Sequence, residues 1–329
     1  MNFMQKILGI GNALVDILVQ LPNDEPLRKL SLPKGSMQLI DQTTMKRISD
    51  ATSLLEKYVA TGGSASNTSV GLAKLGCNVG FISKVGPDEI GEFYASDLND
   101  NKVTPHLLKS DLPSGRCNVL ISNDSERTMA TYLGAAVTLN ADDLNINIFR
   151  QYDILHIEGY LVQNYNLITR AGQLAKEAEL IVSLDLASYN IVNENIDYLK
   201  DFVSKYVDII FANEEEATAY TKLPAEQAVH AIAQEVNLAI VKVGSKGSYV
   251  KQGENLYHIP AEKVKAIDTT GAGDAYAAGF LYGYANNMPI DQCAKIGTLC
   301  AAQVIEEIGA KISPERWQKI YNELRVENS

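Results

Sequence analysis

The chain has 329 residues, of which 46% are apolar and 21% are charged, and its mean hydropathy is −0.08. This composition is typical of globular proteins with a substantial core, and it excludes disordered, fibrous and membrane-spanning classes. The formal net charge of −11 disfavours nucleic acids and anionic membrane surfaces as partners, because the field of the protein repels both.

The positions of cysteine and histidine argue against a metal centre built from these side chains. The four cysteines include no CxxC pair, so we expect buried apolar side chains rather than zinc ligands or disulfides. The four histidines are equally dispersed, which leaves no histidine-based triad. Glycine and polar residues interrupt the first apolar run, which lacks the design of a signal peptide, so we expect a cytoplasmic protein.

Short β-branched runs alternate with helical patterns along most of the chain. This alternation predicts an α/β fold with three α/β/α layers, in which a doubly wound, mainly parallel sheet lies between helices. Predicted strands cover residues 6–10, 79–85, 153–159, 180–186, 207–213 and 238–244. Predicted helices cover residues 64–75, 88–100, 167–178, 224–235, 273–285 and 290–308, and a last helix begins at Ser313.

The segment 112–136 breaks this alternation. Two strand-like runs, CNVLIS and RTMATYL, flank the polar tetrad of residues 123–126, which predicts a β-hairpin. A second irregular stretch begins near Leu14. We therefore predict one domain over residues 1–329 with a small β-sheet lid, formed by inserted segments at about 13–42 and 112–136.

The first glycine cluster, Gly9-Ile10-Gly11, follows a predicted strand. The third glycine of a dinucleotide fingerprint would fall at Leu14, which disfavours a nicotinamide site and hence a dehydrogenase. Asn12 and Asp16 lie just past the carboxyl end of the strand, where open α/β sheets bind ligands. A turn stabilised by these polar side chains is the alternative.

The second cluster, Gly62-Gly63, comes directly before a predicted helix of small residues. Two consecutive glycines let a ligand approach the backbone closely, although a hinge with Ser64 as the helix cap explains them equally well. Asn67 lies one turn into the helix, where its amide can both donate to and accept from the paired hydroxyls of a sugar.

The third cluster spans residues 268–274 and reads DTTGAGD. A loop of small residues that leads into a helix exposes unpaired N–H groups at the positive end of the helix dipole, which makes an anion cradle. A Walker loop is excluded, because no GK[ST] follows. Asp274 is suited to act as general base toward a hydroxyl, with its ionised form favoured at neutral pH near the helix end. A simple interaction with the helix dipole is the alternative.

Together these clusters resemble the ribokinase-like (PfkB) family of carbohydrate and nucleoside kinases, over nearly the whole chain. The segment NEEE at 213–216 is similar to the N-x-x-E element of the family, and KVGSKG at 242–247 to its nucleotide-side strand and turn. Within the family, GNALVDI, KGSMQLID, SERTM and TYLGAA look most like the adenosine kinase-like branch.

The resemblance implies an ATP-dependent kinase that transfers the γ-phosphoryl group to a primary hydroxyl. Asp274 would accept the hydroxyl proton, and Arg127, which matches the lid arginine of adenosine kinases, would neutralise phosphate charge. The anion hole implied by the family consists of Gly271, Ala272 and Gly273. The implied acceptor site consists of Asn12, Asp16, Gly62, Gly63 and Asn67.

On the nucleotide side the resemblance implies ATP as co-substrate, Mg²⁺, and a monovalent cation such as K⁺ beside Asp268. The residues implied in binding the nucleotide are Asn213, Lys242, Gly244, Gly247, Asp268 and Thr270. Many family members have threonine where this chain has Lys242. Asn213 and Glu216 would act near the metal, mostly through water, although Asn followed three residues later by Glu is also a plain capping box.

The acceptor is predicted from the second hairpin strand. Period-two alternation places Arg127, Met129 and Thr131 on one face, and if this face looks onto the site, Met129 offers an apolar surface suited to a purine. Packing of Met129 inside the lid is the alternative. We therefore expect an adenosine-like nucleoside, with a free sugar such as ribose or fructose as the alternative. A catalytically silent nucleotide or nucleoside sensor is a further alternative. An exposed lid edge would allow a homodimer through the lid.

Overall fold

A computed structural model describes residues 4–124 and 126–327 of the chain. In chain order the strands are β1 (Ile7–Ile10), β2 (Leu14–Gln20), β3 (Met37–Leu39), β4 (Lys57–Gly62), β5 (Val79–Val85), β6 (Val103–Lys109), β7 (Gly115–Ile121), β8 (Arg127–Tyr132), β9 (Ile154–Glu158), β10 (Ile181–Asp185), β11 (Ile209–Asn213), β12 (Leu238–Lys242), β13 (Ser248–Gln252) and β14 (Asn255–Ile259).

The helices follow the same order. They are α1 (Glu25–Leu30), α2 (Gln42–Ala51), α3 (Ser64–Lys74), α4 (Glu89–Asp100), α5 (Ile146–Phe149), α6 (Tyr165–Glu177), α7 (Tyr189–Glu194), α8 (Ile196–Tyr206), α9 (Glu214–Thr221), α10 (Ala225–Ile232), α11 (Ala272–Ala285), α12 (Ile290–Val304) and α13 (Pro314–Glu327). No helix in the described residues combines the length and the hydropathy of a membrane span.

Within the described residues, nine strands form the main sheet, in the order β14-β13-β12-β11-β10-β9-β1-β5-β6. Strands β12 to β6 of this order run parallel to their neighbours, and β13 and β14 add an antiparallel hairpin at one edge. Every residue of β1 and β9 is buried, as expected for central strands that are covered on both faces. The predicted mainly parallel sheet is confirmed.

The core occupies both faces of the main sheet. On one face the strands pack against α6 to α10, and on the other they pack against α3, α4, α11 and α12. This arrangement gives the predicted three layers. All four cysteines are buried free thiols, as their scattered positions predict.

A second, smaller sheet has the order β3-β8-β7-β2-β4 in the described residues. Strands β7 and β8 form the predicted antiparallel hairpin, although Ser125 of its turn lies outside the described residues. Strand β2 pairs with both β7 and β4. Strand β4 lies outside the two segments from which we predicted the lid.

Helices α3 and α11 pack very closely on one face of the main sheet. A Cβ atom added to Gly71 of α3 would lie 2.7 Å from the Cβ of Ala278 on α11, so only glycine fits this contact. Helix α3 ends where the sequence predicts, because Gly76 follows it in the left-handed region at φ 100°. The two helices therefore form one compact unit.

Candidate active site

Polar side chains occupy the carboxyl ends of neighbouring parallel strands, which is where open α/β sheets bind ligands. They are Asn12 just after β1, Glu158 at the end of β9, Asp185 at the end of β10, Asn213 at the end of β11 and Lys242 at the end of β12. Because these strands run parallel, the five residues lie along one edge of the sheet.

The turn before α11 leaves backbone amides free. Gly271 adopts the left-handed conformation at φ 76°, directly before the helix begins. The Ala272 amide donates to the carbonyl of Thr269 at 3.2 Å. Within the described part of the chain, the amides of Gly271, Gly273 and Asp274 donate no hydrogen bond. These three amides, at the positive end of the helix dipole, are available to an anion and are called the anion site below, whereas the Ala272 amide is used by the turn.

The carboxylate of Asp274 is held by the first turn of α3. Its Oδ1 accepts a hydrogen bond from Ser64 Oγ at 2.7 Å, and its Oδ2 accepts one from Asn67 Nδ2 at 3.0 Å. Burial raises the pKa of Asp274 to about 6, although these two hydrogen bonds oppose the shift. The ionised form therefore remains favoured at neutral pH, as expected, although burial and not the helix end determines the direction of the pKa shift.

Asn12 is fixed by a buried glutamate that the sequence analysis did not identify. Glu158 accepts hydrogen bonds from the Asn12 amide at 3.3 Å, from Asn12 Nδ2 at 2.6 Å and from the Ala65 amide at 3.2 Å. Burial raises the pKa of Glu158 to about 7. Gly63 is close to the same group, because a Cβ atom at Gly63 would overlap the carbonyl oxygen of Asn12.

Asp16 projects from β2 toward the double glycine. A Cβ atom on Gly62 would lie 2.8 Å from Asp16 Oδ2, so the glycine makes room for this carboxylate. Burial raises the pKa of Asp16 to about 6, and the positive charge of Lys311 opposes the shift. Lys311 Nζ itself donates to Thr61 Oγ1 at 2.7 Å. Of the predicted acceptor residues, Asn67 therefore contacts Asp274 directly and Asp16 interacts with it electrostatically. Lys311, a buried cation that sequence patterns did not reveal, acts on both acids.

A cavity of about 740 Å³ extends from Asp274 to the turn after β12. Its walls include four of the six residues that the resemblance implies for nucleotide binding, namely Asn213, Lys242, Gly244 and Gly247. They also include Glu216, Ala272 and Gly273. Asp268 and Thr270 lie beside this cavity and not among the described residues that line it. The volume is in the range of ligand pockets.

Asn213 and Glu216 form a complete capping box at the start of α9. Asn213 Oδ1 accepts from the Glu216 amide at 2.8 Å, and Glu216 Oε2 accepts from the Asn213 amide at 2.7 Å. Burial raises the pKa of Glu216, and the charge of Asp185 adds to this effect. The structure thus satisfies the capping interpretation, while the same two side chains also line the cavity.

Arg127 joins the small sheet to the loop before α11. Its Nη1 lies 2.7 Å from Asp268 Oδ2, which also accepts from the Gly309 amide at 2.7 Å. Asp268 Oδ1 accepts from the amide and the hydroxyl of Thr270, at 3.1 and 2.8 Å. Arg127 is therefore paired with a carboxylate next to the anion site rather than directed into the cavity.

Met129 lies on the same face of the small sheet as Asp16. Residues directly opposite in register share a face, so Asp16 lies with Cys117 and Thr131, and the next row along contains Leu18, Val119 and Met129. Met129 is half-buried. The side of the small sheet that carries Asp16 therefore presents an apolar row next to this acid.

Among known proteins, residues 40–317 match the pfkB family carbohydrate kinase profile. A solved structure of adenosine kinase from Sinorhizobium meliloti superposes with a TM-score of 0.85 and 31% identity, covering 98% of this chain and 100% of that one. The 5-dehydro-2-deoxygluconokinase of Lacticaseibacillus casei is 30% identical over 79% of this chain and 84% of its own. The adenosine kinase of Saccharomyces cerevisiae is 28% identical over 94% of this chain and 97% of its own.

These similarities cover the strand ends, the anion loop and the small sheet together, and they confirm the family predicted from the glycine clusters. They include both adenosine kinases and sugar kinases, so they establish the reaction type without selecting the acceptor. The chain belongs to the pfkB family of carbohydrate kinases and is an ATP-dependent phosphotransferase.

Proposed function

We propose that this kinase transfers the γ-phosphoryl group of ATP to a primary hydroxyl of an adenosine-like nucleoside, with Asp274 as general base. The placement of the Asp274 carboxylate supports this most strongly. It lies beside the free amides of the anion site, at one end of the large cavity, and Ser64 and Asn67 fix it on the acceptor side. A hydroxyl and a phosphoryl group can meet at this position.

In this mechanism the acceptor oxygen attacks phosphorus while its proton passes to Asp274. The amides of Gly271, Gly273 and Asp274 stabilise the negative charge on the phosphoryl oxygens. The acceptor hydroxyls are held by Asn12, Asp16 and the side-chain amide of Asn67. Glu158 keeps Asn12 in place through its hydrogen bond to Asn12 Nδ2. Arg127 already reaches the loop through Asp268, and in this proposal it exchanges that carboxylate for phosphate when ATP binds.

The donor nucleotide occupies the cavity in this proposal, with its base toward Gly244 and Gly247 and its phosphates toward Asp274. Mg²⁺ fits the predicted donor set, because Asn213 and Glu216 line the cavity with an amide oxygen and a carboxylate. Among the described residues no three acidic, histidine or cysteine groups cluster around a metal site, which suits a cation held mainly by water and phosphate. When bound, Mg²⁺ offsets phosphate charge.

A monovalent cation at Asp268 fits the structure poorly. Each oxygen of the Asp268 carboxylate already accepts two hydrogen bonds, and the charge of Arg127 compensates its own. Hydrogen bonds from Gly309 and Thr270 lower the pKa of Asp268 in spite of its burial. We therefore assign no step to K⁺.

The choice of a nucleoside depends on the small sheet. Beside Asp16, the half-buried side chains of Leu18 and Met129 offer an apolar surface on which a purine can lie while its ribose meets the acid, and Val119, which is buried, lies between them in the same row. A free sugar has no large apolar surface to match this row. The sugar kinases among the similar proteins support the alternative of a free-sugar acceptor.

With saturating Mg-ATP, we expect the initial rate with adenosine to exceed the rates with ribose and fructose by about tenfold or more. A coupled assay for ADP formation measures the three rates.

Met129→Glu should lower kcat/KM for adenosine by about tenfold and leave that for ribose nearly unchanged, because it charges the apolar row. Activity on a free sugar with none on adenosine would reverse the assignment.

A catalytically silent sensor would bind ATP and the acceptor without forming ADP. As a phosphotransferase, the chain should form ADP only when acceptor, ATP and Mg²⁺ are all present. Thermal stabilisation by ATP and adenosine without any ADP would instead favour the sensor.

The pH dependence of the reaction follows from the acids in the site. Asp274 and Asp16 both need to be ionised, and burial raises both pKa values to about 6. We expect kcat/KM to fall as the pH drops below about 6, with a limb steeper than a single protonation produces. Profiles from about pH 5 to about pH 9 test this, with Asp16→Asn restoring a single-proton slope. Constant activity down to about pH 4.5 would contradict the assignment.

We also propose a cytoplasmic homodimer that forms through the small sheet. Strand β4 is an edge strand, and its residues Tyr58 and Val59 are 65% and 44% exposed. Unpaired backbone groups and exposed apolar side chains on an edge favour pairing with a second copy. Light scattering of the purified chain tests for the dimer.

A further inference from the structure

The side chain of Lys242 leaves the end of β12 and reaches the beginning of α11. Its Nζ lies 3.2 Å from Asp185 Oδ2 and 3.1 Å from the position of a Cβ atom added to Gly273. The side chain is only 16% exposed. The ammonium therefore sits beside the free amide of Gly273 and not at the far end of the cavity, where the base of the nucleotide would lie.

The charges around this ammonium are unbalanced. Asp185, Glu216 and Asp274 all act on it electrostatically, so three carboxylates face one cation. Burial alone would lower the pKa of Lys242, but these acids outweigh it and raise the pKa. Of the described residues that line the cavity, Lys242 is the only lysine or arginine.

The ammonium also has unused hydrogen-bonding capacity. An ammonium group has three donors, and the hydrogen bond to Asp185 is long for a charged pair. In the described part of the chain this is its one hydrogen bond. The remaining N–H groups are available to a ligand on the side of the anion site, because the cavity wall is formed there by Gly273 and Asp274.

We propose that Lys242 is a catalytic residue that binds the oxygens of the γ-phosphoryl group during transfer, and that Asp185 is the positioning residue that holds its ammonium there. This inference rests on the proposed function. In the step, a bond forms between the acceptor oxygen and phosphorus, and the bond from phosphorus to the bridging oxygen of ADP breaks. ADP takes the electron pair, and the acceptor proton goes to Asp274. Lys242 stays protonated and offsets the negative charge on the phosphoryl oxygens during the transfer.

A binding experiment tests this contact without turnover. Lys242→Met removes the charge and keeps the length of the side chain. Calorimetry with Mg²⁺ should show affinity for the imido analogue of ATP falling by about tenfold or more, because a charge-assisted hydrogen bond to the terminal phosphoryl group is lost. Affinity for ADP should change by less than about threefold. Equal effects on both nucleotides, or none, would overturn the proposal.

Kinetics separate this inference from the function on which it rests. In a wild-type enzyme that phosphorylates its acceptor, Lys242→Met should lower kcat by about 10²-fold and leave the KM for the acceptor within about threefold. Lys242→Arg should recover part of the loss. Lys251→Met, on the neighbouring strand β13, is the matched control and should behave as wild type, because among the described residues this lysine bonds only the carbonyl of Gly253.

A purely structural role for Lys242 predicts different outcomes. If the lysine only balances Asp185, the double variant Asp185→Asn with Lys242→Met should recover both kcat and analogue affinity. Such recovery would overturn the proposal, whereas loss of analogue affinity in the double variant supports it. If no acceptor is phosphorylated by the wild type, the proposed function fails, and the calorimetric comparison still decides whether Lys242 meets the terminal phosphoryl group.

Discussion

Replacing Asp274 with asparagine should reduce kcat by about 10²- to 10⁴-fold and leave binding of the acceptor nearly unchanged. Asparagine keeps the shape of the side chain, and its oxygen can accept from Asn67 while its Nδ2 donates to Ser64 Oγ. It cannot accept the hydroxyl proton. Steady-state kinetics and calorimetry with the acceptor measure the two effects. Turnover within about threefold of wild type would contradict the role of this acid as general base.

The same substitution should make the unliganded protein more stable at about pH 8. The pKa of Asp274 is raised from 3.8 to about 6, so its contribution to stability is full below the lower value and is lost as the pH rises through the higher one. Asparagine removes this cost, which is about 1–3 kcal/mol. The gain should vanish below about pH 4, where the acid is neutral. Asp201→Asn, at an exposed ion pair, is the control.

Replacing Gly63 with alanine should destabilise the fold by about 3 kcal/mol or more and abolish acceptor binding. Gly63 has φ 92° and ψ 128°, a conformation that L-residues rarely adopt. A Cβ atom there would also overlap the carbonyl oxygen of Asn12, so the backbone that carries this acceptor residue must move. Urea denaturation and the KM for the acceptor measure the effects.

Gly76 offers a matched control at the other end of α3. Its φ of 100° is equally unusual, but no atom lies within 4 Å of a Cβ atom built on it. Gly76→Ala should therefore cost about 1–2 kcal/mol from the backbone alone and leave the KM unchanged. If both substitutions lowered stability and raised the KM for the acceptor equally, the contact between Gly63 and Asn12 would not be needed for acceptor binding.

In the main sheet, the strands that sequence patterns predicted are those buried on both faces. Strands such as β9 and β11 form short, nearly continuous apolar runs, which single them out. Strand β6 was missed, because it contains Pro105 and is only partly buried at the sheet edge. The hairpin of β13 and β14 was missed as well, since its strands mix charged and apolar residues and their pairing depends on β12.

The candidate site could be predicted where its residues form local motifs. Asp274 and Gly271 belong to one turn, and Asn67 follows the double glycine, so short segments were sufficient. Glu158 and Lys311 act on partners that are distant in sequence, at 146 residues from Asn12 and 250 residues from Thr61. Asp185 can pair with Lys242 only because their strands, β10 and β12, lie on either side of β11. Such neighbours emerge only from the assembled sheet.

The direction of the pKa shift of Asp274 is a related case. A helix end favours the ionised form, and the sequence shows that end clearly. The amount of burial depends on α3, which packs over the carboxylate and contributes Ser64 and Asn67. Burial is the larger effect, so the direction of the shift could be found only from the packed structure.

Because α3 and α11 pack tightly, substitutions that change the preference for the acceptor are tolerated best in the small sheet. Gly71 is too near Ala278 for a larger side chain. A change at this contact on either helix therefore disturbs both the acceptor side, which α3 provides, and the anion site and Asp274, which lie at the start of α11. Side chains such as Met129 are replaceable without moving those helices. Directed evolution aimed at a new alcohol should therefore randomise the small sheet and spare the helix pair, a division that agrees with adenosine kinases and 5-dehydro-2-deoxygluconokinases both being similar to this chain.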